Sequence, residues 1–396
     1  MRIIEVSEPS RLKQIFREIK VDPYGIKIML PKAQSFLVLT GEISNITANI
    51  IKQELLSLGA DAAVARDSLT GKTKKTDCLM IGNLTQFQRL CVKLRRQPFG
   101  LDRLSYRLDT VLRHYQERVY TVKAGTYTLP LGKKVHLMGI VNMSPDSFSQ
   151  DGFTCAHGTL VAHVKRLIAE GADSIDIGGE STRPGARPVS VKEEIRRTLP
   201  AIRMLARKTK IPLSIDTYKA EVARAALDHG AEMVNDISGL RSAKMRKLVA
   251  EKKCPVVIMH MKKTPATMQR DPQYKDIISE IVSYLQDAIC RAEDAGINRE
   301  KIIIDPGIGF GKTLAHNLSI LRNLSEFKVL GRPILVGTSR KSFLGKILNK
   351  EPHERLYGTI ASCVLAAKAG ANILRVHDVL ATRQALKVSG AILHQN

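Results

Sequence analysis

Eight short apolar runs between residues 136 and 377 each end in a polar signature, and this repetition constrains the fold more than any single residue does. The endings are Asn142, Gly178–Gly179–Glu180, Asp216, Asn235, His260, Asp305, Ser339–Arg340–Lys341 and Arg375–Val376–His377. Parallel strands buried on both faces read as near-continuous Val/Ile/Leu runs, as His136–Met143, Lys301–Ile304 and Pro333–Val336 do. Eight such runs, separated by helix-sized stretches, predict an α/β fold of the (β/α)8 or TIM-barrel kind. Chemistry in that architecture gathers at the C-terminal ends of the strands, where these polar residues fall.

The 396 residues leave room for one barrel and a smaller domain. No run of about 18 apolar residues appears, so no membrane span is expected. The N-terminus lacks the apolar stretch of a signal peptide, and a cytoplasmic protein is expected. Six scattered cysteines without a C-x-x-C pair suggest unpaired thiols in a reducing compartment rather than a zinc site. The formal charge of +24 divides into +9 over residues 1–130 and +15 over the rest. No nucleic-acid-binding motif accompanies it and aromatic residues are only 5%. The excess is therefore read as solubility, or as attraction of polyanionic small molecules, in preference to nucleic-acid binding.

Residues 1–118 are set apart as a smaller N-terminal α/β module, and 119–396 as the catalytic barrel with a hairpin in front of it. Within the module, Phe36–Thr40, Ala62–Arg66 and Cys78–Ile81 read as strands. Ile43–Leu58, Leu84–Leu94 and Leu104–Tyr115 read as helices. Thr70–Thr76 is read as a solvated basic loop, and no catalytic constellation is visible in the module. Tyr120–Val122 and Tyr127–Leu129 flank a turn and predict the hairpin. Glycines 171, 230, 296 and 370 follow helix candidates as C-cap signals.

Any one of the polar endings has a plain alternative. Asp216 or Asn235 alone is more often a turn or capping residue, and His377 alone a satisfied histidine. The functional reading rests on all of them converging at one rim. The stretch Asp305–Thr313 ends like a phosphate-binding Walker loop, but Pro306 stands where that loop needs its first glycine. Chemically, Asp305 and Asn235 suit the hydrogen-bonding edge of an amino-pyrimidinone ring. Asp216 would favour a developing cation. Arg375, His377 and Arg183 could hold a departing phosphate or pyrophosphate, with Lys341 as a further donor. Asn142 could ligate a hard cation such as Mg2+, and Phe310 could wall a planar ligand. Together they indicate displacement of a phosphorylated leaving group from a heterocycle.

From about Tyr120 onward the chain resembles the dihydropteroate synthase family. The resemblance is carried in order by Met138–Ser149, Asp176–Ala186, Ser214–Thr217, Val234–Ile237, Asp305–Lys312, Gly337–Gly345 and Arg375–Asp378. It does not cover roughly the first 115 residues. It implies a barrel that joins 6-hydroxymethyl-7,8-dihydropterin pyrophosphate to 4-aminobenzoate and releases pyrophosphate in folate synthesis. It further implies that Asp216, Asn235, Asp305 and Lys341 hold the pterin, Asn142 binds Mg2+, and Arg375 and His377 take the pyrophosphate. Thr182, Arg183 and Pro184 would belong to a loop closing over the aminobenzoate, with Ser342 lining that pocket.

One departure from the family pattern falls at Ser147–Phe153, where Asp151 is displaced by one position. The expectation is that this loop still acts, with Asp151 in a shifted register. Two rival readings stand beside it. A pterin-binding methyltransferase on a similar barrel would need no pyrophosphate pocket. A non-catalytic pterin- or nucleic-acid-binding protein would have no use for the Mg2+ and anion positions. The sequence leaves open what residues 1–118 do, which aniline is the acceptor and whether the chain forms a homodimer.

Overall fold

The structure is a computed structural model that describes residues 1–4, 9–143, 157–181, 188–265 and 267–393. The chain divides into two compact units, Met1–His114 and Tyr115–Asn396.

In the first unit three antiparallel strands, β1 (Ser35–Ser44), β2 (Asp61–Val64) and β3 (Lys75–Asn83), form a sheet in the order β1-β3-β2. Helices α1 (Pro9–Glu18) and α2 (Pro23–Lys32) precede it, and α3 (Asn45–Ser57), α4 (Arg66–Thr70) and α5 (Leu84–Leu94) follow its strands. Helix α6 (Leu101–Gln116) leads out of the unit. Ile51 and Leu55 of α3 and Phe87, Leu90 and Leu94 of α5 share one core with Cys78 and Met80 of the sheet. Asn83 and Gln86 start α5 with reciprocal side-chain-to-backbone bonds, which satisfies two orphan N–H groups of the helix terminus.

The second unit opens with the antiparallel hairpin β4 (Tyr120–Ala124) and β5 (Tyr127–Leu131). Eight parallel strands follow: β6 (His136–Asn142), β7 (Ser174–Gly178), β8 (Leu213–Asp216), β9 (Met233–Asp236), β10 (Val256–Met259), β11 (Ile302–Asp305), β12 (Leu335–Val336) and β13 (Ile373–Val376). Their order, β11-β10-β9-β8-β7-β6-β13-β12, is closed by an Ile304–Ile334 bridge, which makes the predicted barrel. Helices run between them: α7 (His157–Ala169), α8 (Val191–Lys208), α9 (Ala220–Leu227), α10 (Ala243–Lys252), α11 (Ile277–Asp294), α12 (Leu314–Arg322), α13 (Ser342–Leu348), α14 (Leu356–Lys368) and α15 (Val379–Leu393). Several end at a left-handed glycine as the sequence suggested, Gly230 with φ 113° among them.

Alternate strand residues serve two cores, as the period of two requires. Leu137, Ile175, Ile215, Val234, Val256 and Ile304 pack in the large layer shared with the helices. Met138, Met233, Val257, Ile303, Leu335 and Ile373, all near strand beginnings, fill the barrel interior. Val122, Ala124, Leu129 and Leu131 of the hairpin join this inner cluster, so the hairpin stoppers the N-terminal mouth. Among the described residues of the barrel, this leaves the C-terminal mouth for a site. Among the described residues no helix is long and apolar enough to cross a membrane.

Candidate active site

The strand register brings the expected residues to one level. Asn142 pairs with Gly178, Gly178 with Asp216, and Asp216 with Asn235, so four adjacent strands end on the same line. Asp305 closes β11 opposite Met259 of β10. Arg375 enters from β13 and spans the mouth: its Nε donates to Asp176 Oδ2 at 2.6 Å and its Nη2 to Asp216 Oδ2 at 2.7 Å. Asn235 Nδ2 donates to the same Asp176 oxygen at 2.9 Å. Burial raises the Asp216 pKa above the carboxylate range, and Arg375 opposes that rise without cancelling it.

The far wall is the loop 306–313. Gly307 N donates to Asp305 Oδ1 at 2.7 Å. Gly307 has φ +73°, and a Cβ there would lie 2.0 Å from the His260 carbonyl oxygen, so only glycine fits. Lys341, at the N-cap of α13, donates its Nζ to the Ile308 carbonyl and lies 4.7 Å from the Phe310 ring centroid. Burial lowers the Lys341 pKa to about 8, with Asp305 pulling it back up. Asp305 itself is pushed up by burial and held down by Lys341. An apolar cluster of buried Ile237, Met259, Met261 and Met268, with half-buried Phe310 and Tyr218 against it, packs beside these polar groups.

The Walker-like lysine has another task. Lys312 is buried and its Nζ lies 3.0 Å from His260 Nδ1 and 2.9 Å from the Phe310 carbonyl. It braces the loop from within instead of facing an anion. Burial and this lysine hold the His260 pKa down at about 2, so His260 is a neutral acceptor. His377 approaches Ser339: its ring Nδ1 is 3.0 Å from Ser339 Oγ, which also accepts its backbone N–H at 3.2 Å. Ser342 opens α13 and is exposed.

Asp216, Asn235, Asp305, Phe310, Lys341 and Arg375 thus share the C-terminal mouth, with Asn142 on the Asp216 level and His377 beside Ser339. Thr182, Arg183, Pro184 and Asp151 lie outside the described residues. Two features were not singled out from the sequence. Asp176, fully buried, ties Arg375 to Asn235; its signal was its place two residues before Gly178, on the same strand face. Lys219 donates to Glu180, to Glu194 Oε2 at 2.6 Å and to the Val189 carbonyl at 2.6 Å, joining the exits of β7 and β8 to α8. That triad could not be read because Glu194 sits on a helix, far from any strand end.

This arrangement offers a planar polar edge, apolar faces, an anion-binding arginine and more carboxylates than a neutral ligand needs. Residues 138–377 match the family described as pterin binding enzyme. A dihydropteroate synthase of Synechocystis is 48% identical over 263 residues, covering 66% of this chain and 91% of that protein. A probable bifunctional folylpolyglutamate synthase/dihydropteroate synthase of Halobacterium salinarum is 40% identical over 373 residues. That match reaches 94% of this chain and 44% of the relative, and so extends into the N-terminal unit. The structure of Xanthomonas albilineans dihydropteroate synthase with 4-aminobenzoic acid superposes with a TM-score of 0.65 at 45% identity, covering 69% of this chain and 98% of that one.

Proposed function

Since the chain belongs to the pterin-binding enzyme family, and within it to the dihydropteroate synthases, we propose how its barrel mouth performs their reaction. The enzyme is a transferase of folate biosynthesis: it condenses 6-hydroxymethyl-7,8-dihydropterin pyrophosphate with 4-aminobenzoate and releases pyrophosphate. The observation that carries the residue assignments is the convergence of Asp216, Asn235, Asp305, Lys341 and Arg375 inside one mouth of a barrel closed at the other.

Asn235 and Asp305, at the ends of two strands separated only by β10, hold the amino-pyrimidinone edge of the pterin, and Lys341 donates to its carbonyl side. The Met259–Phe310 surface covers a ring face. Loss of pyrophosphate leaves a pterin methylene cation, which the weakly nucleophilic aniline captures. Asp176, Asp216 and Asp305 stand against Arg375 and Lys341, so a positive charge is favoured where it develops. Arg375 and His377 take the leaving anion, and Thr182, Arg183, Pro184 and Ser342 serve the aminobenzoate.

Asn142 fits a Mg2+ role: its carboxamide has no side-chain partner among the described residues, and Gly178 beside it leaves space near Asn142 Oδ1. No group of three or more His, Cys, Asp or Glu forms a metal cage among the described residues. Few protein ligands plus substrate phosphates is the usual Mg2+ arrangement. When bound, the ion would neutralise charge on the departing pyrophosphate.

The test is pyrophosphate release from the dihydropterin pyrophosphate with and without 4-aminobenzoate, with the pteroate product followed by mass. Release accompanied by dihydropteroate is expected. Tight pterin binding without either product would overturn the assignment.

A further inference from the structure

We propose that Asp176 is a positioning residue of the pterin pocket: one carboxylate oxygen fixes Arg375 and Asn235 together, and the other shares a single buried water with Ser214. The proposal deepens the reading above and rests on it.

The first half follows from the bonding. Asp176 Oδ2 accepts from Arg375 Nε at 2.6 Å and from Asn235 Nδ2 at 2.9 Å. Two side chains on β13 and β9 are therefore tied to one atom on β7, although those strands are not neighbours in the barrel. A bond from Nη2 to Asp216 alone would leave the guanidinium free to swing about that contact. Adding the Nε bond fixes its plane, because the donors of arginine form a rigid fork. Asp216 is thereby left to face the reacting centre, while Asp176 holds its partner from beneath.

The second half follows from two atoms the bonding leaves over. Asp176 Oδ1 and Ser214 Oγ are both buried and without a hydrogen-bond partner among the described residues. They belong to one register pair, Asp176 on β7 opposite Ser214 on β8. Neighbouring strands lie about 4.8 Å apart, and paired residues of parallel strands point the same way. These two polar side chains therefore face the barrel interior side by side. Burying either oxygen unpartnered is costly, and orphaned groups of this kind in native proteins mark bound water or ions. A water there finds an acceptor in Oδ1 and a donor or acceptor in Oγ, which meets the need for at least two polar partners. An anion is disfavoured by the carboxylate, and a dedicated cation site by having only these two oxygens.

The experiment uses the full chain and follows dihydropteroate formation. Asp176→Asn keeps the shape and one acceptor but removes the charge that holds Arg375. We expect kcat/KM for the dihydropterin pyrophosphate to fall by about 10- to 100-fold, with KM for 4-aminobenzoate within about 2-fold. In an Arg375→Met background the same change should cost less than about 3-fold, because the residue acts through Arg375. An equal cost in both backgrounds would overturn the positioning role. So would a crystal structure of the unmodified protein with pterin bound in which Arg375 Nε has left Asp176, a readout that stands even if the variant does not fold. In that crystal an ordered water within hydrogen-bond distance of both Asp176 Oδ1 and Ser214 Oγ is expected; well-defined density with no water overturns the second half. Absence of dihydropteroate from the unmodified chain would instead count against the function itself.

Discussion

Asp216 and Lys341 work against their own burial, and the pH dependence of the enzyme should record both. The cation centre needs Asp216 ionised and the pterin contact needs Lys341 protonated. Burial raises the first pKa and lowers the second to about 8. Accordingly kcat/KM for the pterin substrate should fall as pH drops through the raised Asp216 value, and again as pH rises through about 8. A rate profile from pH 5 to 10 checks this, and a flat alkaline side would exclude Lys341 as the charged donor. Stability follows the opposite sense for Asp216. With its folded pKa above the unfolded one, its contribution is complete below the ordinary carboxylate value and is lost as pH rises through the raised value. Asp216→Asn should then lower turnover by at least about 100-fold while raising Tm at pH 8 by about 2–4 °C. A melt showing a lower Tm would mean the carboxylate is stabilising as it stands. The residues at strand ends were legible because each interrupts an apolar run. Asp176 was not, since it sits inside its run and only the closed barrel reveals its partners.

At the scale of elements, the glycine-rich loop after β11 is the most sensitive part of the mouth. A Cβ at Gly307 would meet the His260 backbone, and relief requires moving the residue that holds Asp305. Gly307→Ala should raise KM for the pterin substrate by at least about 10-fold, with the barrel still folded by circular dichroism. Unchanged kinetics would show that the loop yields without disturbing Asp305. The barrel strands were readable to within a residue or two, because burial on both faces leaves a continuous apolar signal. Even β12, with two residues in ladder pairing, stood out through Pro333–Val336. The two N-terminal helices did not: α1 carries Leu12, Ile15 and Phe16 on one side but buries none of its residues, and α2 contains Pro31, which breaks the ordinary helix signal.

Across the whole molecule, charge and domain layout lead to separate expectations. A formal charge of +24 should draw a pyrophosphorylated substrate toward the protein. Raising ionic strength from about 0.01 to 0.15 M shortens the screening length to roughly 8 Å, so kcat/KM for that substrate should fall several-fold while KM for 4-aminobenzoate moves less. Equal responses would place the charge effect elsewhere than the phosphate. Every described site residue belongs to Tyr115–Asn396. A chain beginning at Tyr115 should therefore keep its pterin and aminobenzoate KM values within about 3-fold; loss of turnover in a folded fragment would give the N-terminal unit a catalytic part. That unit's sheet and its helices α3, α5 and α6 could be read from periodicity, but no residue in it carries a chemical signature that periodicity would expose.

The hairpin wedged into the barrel's lower end makes the barrel, among its described residues, a blind alley with one door. Traffic through one door is last in, first out. The ring that must lie against Asn235 and Asp305 has to arrive before anything parks above it, and whatever stands at the threshold decides when it may leave. The order of the reaction is thus written into the plumbing of the fold as much as into its chemistry.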